Sequence, residues 1–164
     1  MSEERRDPVE EAVAQWHAHG WEGGERLRAA LSIIRVEELI RAASTEVLRP
    51  LQLSYARHEL LSLLYFSSRG ELPLGKLSER LMVHPASVTT TVDSLVKLGF
   101  VERVPHPTDR RGTLARITPA GRERIEASTP ELVKRRFGLD ALSEDEARTL
   151  TELLRKVRAH RGDF

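Results

Sequence analysis

The chain has 164 residues, of which 40% are hydrophobic, 31% charged and 5% aromatic, with a formal net charge of +1. That mix fits one ordered, helix-rich domain with extensions and excludes a disordered chain. The absence of cysteine excludes disulfides, thiolate metal sites and thiol switches within the chain.

No apolar run approaches the ~20 residues of a membrane span. The first ten residues are polar and lack the apolar core of a signal peptide, so a cytoplasmic location is expected and no membrane partner. Along the chain, a first helix is predicted over 8–19, with Asp7 as N-cap and Pro8 at the first position. Gly20, Gly23 and Gly24 break it. A long helix follows over 25–49, where Leu27, Leu31, Ile34, Leu39, Ala43 and Val47 recur at helical spacing. Ile33 and Val36 broaden that stripe, so either a core position or a partner on two sides accounts for it. Pro50 ends the helix.

Residues 55–68 read as a buried helix and 74–81 as a short one. A third spans 85–98, with Pro85 in its first turn and Gly99 past its end. Segments 100–104 and 113–118 alternate apolar and polar residues and are predicted to form a two-stranded hairpin leaning on the helices before it. Two helices close the chain, one running from Pro119 to about Phe137. The second is opened by a Ser143/Glu146 capping box and striped by Ala147, Leu150, Leu154 and Val157. The expected fold class is mainly α with a small β-hairpin.

The helix over 85–98 carries the chemistry. Val88, Val92 and Leu95 form its inward face. The other face holds Ala86, Ser87, Thr90, Ser94 and Lys97, flanked by Thr89 and Thr91, with Asp93 the one acid near its edge. Three consecutive threonines are poor helix formers, and a helix displayed only for solubility more often carries Glu and Lys. Short hydrogen-bonding side chains without dense negative charge are what a major groove admits. A Ser/Thr-rich surface helix is the plain alternative.

The hairpin loop adds weight to the first reading. Because the net charge is near zero, a nucleic-acid site has to be local. Between 103 and 116, Arg103, Arg110, Arg111 and Arg116 stand against Asp109, so the segment carries 4 − 1 = +3. A basic loop tip suits phosphate contacts and a narrow minor groove. Asp109, two residues before Arg111, can orient a guanidinium. Alone, such a tip is ordinary solvated surface; its place after the Ser/Thr-faced helix favours DNA.

The run from Leu95 to Thr118, LVKLGFVERVPHPTDRRGTLARIT, followed by Pro119-Ala120-Gly121, resembles the MarR family of bacterial transcription regulators. The resemblance covers residues 58–121 closely, and the flanking helices by type and order. It implies a winged helix-turn-helix. Residues 58–118 would be the DNA-binding domain, with N-terminal helices over 1–57 and C-terminal helices over 119–164 as a dimerisation region. By similarity, Ser87, Thr89, Thr90, Thr91 and Ser94 would meet the major groove. Arg111 would enter the minor groove, oriented by Asp109 and with Arg110 near phosphate; Lys76, Lys97 and Arg116 are further phosphate candidates. The partners implied are double-stranded DNA and a second copy of the chain, as a homodimer on a pseudo-palindromic operator. Repression is the expected mode, with release by a small-molecule effector an open option.

The family's variants test differently against this chain. Peroxide sensing needs a cysteine that is absent. Urate-responsive members carry a tryptophan on an N-terminal helix, which Trp16 resembles, paired with an aspartate and arginines. Here Glu59 occupies the aspartate position and Thr91 that of an arginine, so Trp16 and Glu59 are only ligand-binding candidates. His17, His19 and Glu22 lack metal-ligand spacing, and His58, His84 and His106 read as surface groups. No catalytic triad, metal constellation or phosphate-binding glycine loop is found, so neither an enzyme nor a cofactor is expected. A winged-helix module that binds protein instead of DNA is the competing reading.

Overall fold

The computed structural model describes residues 6–108 and 112–164. Its chain divides into two compact units, Met1–Ala42 and Ala43–Phe164. In the first, α1 (Pro8–Ala18) begins as its sequence dictates. Asp7 accepts a hydrogen bond from the Val9 amide at 2.8 Å, and Pro8 takes the first turn. Gly20 follows with φ of 74°. Helix α2 (Gly24–Leu48) starts in this unit and continues into the second. Arg28 on α2 forks onto Glu10 of α1, with Nε–Oε1 2.7 Å and Nη2–Oε2 3.1 Å. Ile34 and Leu39 on α2 remain 63% and 61% exposed within the single chain.

The second unit holds the main core. After α2 a 3-10 turn at Arg49–Leu51 uses Pro50, and Gln52 adopts a left-handed conformation. Helix α3 (Tyr55–Phe66) places Leu60, Leu61 and Leu64 fully inside. Around them pack α4 (Leu74–Leu81) through Leu77, and α5 (Pro85–Lys97) through Val88, Val92 and Leu95. Each buried leucine contributes about 1.5–3 kcal/mol of transfer free energy.

The predicted hairpin is present as β2 (Val101–Pro105) and β3 (Thr113–Ile117), paired antiparallel from Val101↔Ile117 to Pro105↔Thr113. It is not alone. A strand β1 (Glu71–Pro73) pairs with the other edge of β3, giving the order β1-β3-β2. Three residues offer no alternation to read, and Pro73 sits at an edge, where its missing amide breaks no ladder.

Helix α6 (Pro119–Lys134) is capped by Thr118, which accepts from the Gly121 amide at 3.1 Å. It ends before the predicted Phe137, because Arg136 and Phe137 take positive φ and turn the chain. Helix α7 (Glu144–His160) opens with the Ser143/Glu146 capping box, and none of its side chains is buried.

Candidate nucleic-acid interface

The sequence around α5 explains its placement. Leu81 ends α4, Met82 takes a left-handed conformation, and His84 caps α5, its Nδ1 accepting from the Ala86 amide at 3.2 Å. His84 is therefore a structural cap rather than a mere surface group. The residue before a first-turn proline is the N-cap position, a signal already present at His84-Pro85. With Val88, Val92 and Leu95 inside, Ala86, Ser87, Thr89, Thr90, Asp93 and Lys97 are exposed. Thr91 is half-buried. The threonine hydroxyls donate back along the helix: Thr89 to the Pro85 carbonyl at 3.1 Å, Thr90 to Ala86 at 3.0 Å and Thr91 to Ser87 at 2.9 Å.

Ser94 departs from the sequence reading. Its residue is half-buried and its Oγ is buried with no hydrogen-bond partner among the described residues, so the hydroxyl turns away from the exposed face. Position 94 lies at the edge of the stripe, where helical periodicity alone does not fix a side chain's direction.

The charges also rearrange. Asp93, the one acid near the face, accepts from Arg103 on β2 at 2.7 Å. This pair mutes the acid and ties α5 to the sheet. Arg116, a phosphate candidate by sequence, is ion-paired. On the central strand it reaches Glu71 of β1 at 2.7 Å and Glu102 of β2 at 3.3 Å, opposite both in register. Its guanidinium is held above the ordinary arginine range, first by the hydrogen bond to Glu71. Lys76 pairs with Glu79 at 2.7 Å on α4. Both side chains are exposed, so that pair competes weakly with a phosphate. Lys97 is exposed and makes no ion pair among the described residues. With Arg103 and Arg116 paired, what the segment has left by sequence is Arg110 and Arg111 against Asp109, or 2 − 1 = +1. Asp109, Arg110 and Arg111 lie outside the described residues; the strands leading to them close with the His106 amide donating to the Gly112 carbonyl at 3.1 Å.

The two effector candidates fall in different units. Trp16 on α1 packs edge-on against Trp21, ring centroids 5.1 Å apart, and Glu59 is half-buried on α3. His58, one residue earlier, is not a surface group: its Nε2 is buried with no partner among the described residues, and burial lowers its pKa. Among the described residues no His, Asp or Glu cluster is placed to hold a metal, and no helix is long and apolar enough to cross a membrane.

A helix-turn-helix whose second helix stands beside a three-stranded wing sheet defines a winged helix-turn-helix. The MarR family model matches residues 53–113. The HTH-type transcriptional regulator YdgJ of Bacillus subtilis is 38% identical over 109 residues, 65% of this chain and 64% of that protein. The match thus spans somewhat less than two thirds of that relative. The solved structure of Sco5413, a MarR family transcriptional regulator from Streptomyces coelicolor, is 44% identical and superimposes with a TM-score of 0.81, covering 87% of this chain and 99% of that one. A mutant of E. coli MarR, solved in complex with operator DNA, is 29% identical with a TM-score of 0.73, covering 81% of this chain and 95% of that one. The chain belongs to the MarR family, whose members are transcription regulators and not enzymes.

Proposed function

We propose that the chain is a sequence-specific, double-stranded DNA-binding repressor, working in the cytoplasm as a homodimer on a pseudo-palindromic operator. The observation that carries this reading is α5. Its exposed face has short side chains, its one acid is neutralised by Arg103, and Lys97 leaves it cationic. Such a face fits a major groove. That the E. coli relative is solved in complex with operator DNA supports DNA as the partner.

In this reading residues 58–118 contact DNA through Ser87, Thr89, Thr90 and Lys97, with Thr91 at the edge. Arg111 at the wing reaches the minor groove, Asp109 orients it and Arg110 meets phosphate. Segments 1–57 and 119–164 make the dimer. Support for that pairing is the apolar surface left open on single elements: Ile34 and Leu39 on α2, and Leu153 and Val157 on α7, 54% and 55% exposed. A bound dimer occludes its duplex and so represses. An effector would release it only by binding a mismatched dimer geometry more tightly, and Trp16 and Glu59 are the residues assigned to that role.

The test is fluorescence anisotropy with an operator-bearing duplex across a range of salt concentrations. Binding through several phosphates weakens steeply as salt rises. Arg111→Ala should weaken binding at every salt concentration while leaving the unfolding midpoint unchanged. Unaltered affinity in Arg111→Ala would remove the wing from the interface. Salt-independent binding would favour a protein partner instead.

A further inference from the structure

Resting on the reading of α5 as the groove-entering helix, the hydroxyl geometry of that helix narrows what it reads. A threonine hydroxyl has one proton. The proton of Thr90 is committed to the Ala86 carbonyl at 3.0 Å, and its neighbours Thr89 and Thr91 commit theirs in the same way. Phosphate oxygens, guanine O6 and N7, and thymine O4 are all acceptors and need a donor. With its proton committed, Oγ1 keeps only acceptor lone pairs, drawn back against the preceding turn, and the methyl is the substituent of Thr90 that the helix leaves unengaged. Ala86, four residues earlier and on the same exposed face, offers a methyl and nothing else. Ser87 is exposed, and its hydroxyl makes no hydrogen bond among the described residues, so its proton remains available.

We propose that Ala86 and Thr90 form a methyl surface that selects thymine by its 5-methyl group, while Ser87 is the neutral donor of the same face. The Thr90 hydroxyl serves the helix rather than the base. Thymine methyls lie in the major groove and make apolar contact with Ala and Thr methyls.

The test uses the full chain and the tightest duplex it selects from a random pool. Affinities of the native protein, Thr90→Val and Thr90→Ser are measured on that duplex and on one carrying uracil in place of thymine in each half-site. Valine keeps the methyl and loses the hydroxyl; serine does the reverse. Thr90→Val should bind like the native protein. Thr90→Ser should bind about four-fold more weakly for each contacted methyl, the loss expected of one buried carbon group. That deficit should vanish on the uracil duplex, where the methyl partner is gone. Weakening by valine with retention by serine, equal affinities for all three proteins, or indifference of the native protein to uracil would each overturn the inference. If the native protein selects no duplex at all, the DNA-binding reading falls and takes this inference with it.

Discussion

Gly121 shows how a single atom can be forbidden. A Cβ at this position would sit 2.2 Å from the Phe100 carbonyl oxygen and 2.8 Å from Ile117 Cγ1, because the first turn of α6 crosses directly over the end of the sheet. Gly121→Ala should therefore destabilise the chain by about 1–3 kcal/mol, read as a lower urea midpoint with an unchanged slope. His58 makes a second case. Burial of its ring lowers its pKa from the ordinary value near 6.5, so the folded chain favours the neutral ring more than the unfolded chain does. Stability is thus full above that range and is lost as pH falls through the depressed folded value. Urea midpoints at about pH 7.5 and about pH 5 should differ less in His58→Leu than in the native chain; equal differences would assign the acid sensitivity to other groups. Residues with a clear apolar period were legible: Val88, Val92 and Leu95 are inside as read, while of the helix read as buried over 55–68, Leu60, Leu61 and Leu64 are inside and Phe66 stands 75% exposed. Ser94 and His58 were not, because each lies at the margin of its helix face, where neighbours decide the direction.

At the scale of elements, local chemistry was a good guide wherever a cap or a breaker stood. Asp7, Pro8, Thr118, Ser143 and Glu146 mark the helix starts that the structure has. What local chemistry could not supply was β1. Its three residues are extended because β3 offers them a ladder, a partner 45 residues away at the Glu71–Arg116 pair. With β1 unread, the carboxylate partners of Arg116 on both flanking strands were not legible either. Two substitutions separate sheet from interface. Arg116→Ala should lower the thermal midpoint and leave the salt dependence of duplex binding as it was. Lys97→Ala should do the opposite, reducing the slope of log affinity against log salt by about one unit with no change in midpoint. Exchanged outcomes would mean that Arg116, not Lys97, meets phosphate.

For the whole molecule, the two ends of the chain carry apolar surface that one copy leaves open. In the sequence this was visible only as a stripe on α2 too broad for one neighbour. On α7 the capping box and the stripe were legible, but not that every side chain would stay at least partly exposed. Ile34, 63% exposed, is a direct handle on that surface. Ile34→Glu should shift the sedimentation mass from two chains toward one and abolish tight duplex binding together with it, since burying an unpaired carboxylate at an interface is strongly unfavourable. A variant that stays dimeric would locate the interface elsewhere. The claim on which all of this depends is that α5 and the wing meet duplex DNA, twice per assembly. Selection of bound duplexes from a random pool by the purified chain is the direct test. An inverted repeat should be recovered, its half-site centres about one helical turn, roughly 10 base pairs, or a multiple of it apart. Recovery of no common sequence, or of a single unrepeated half-site, would contradict the claim.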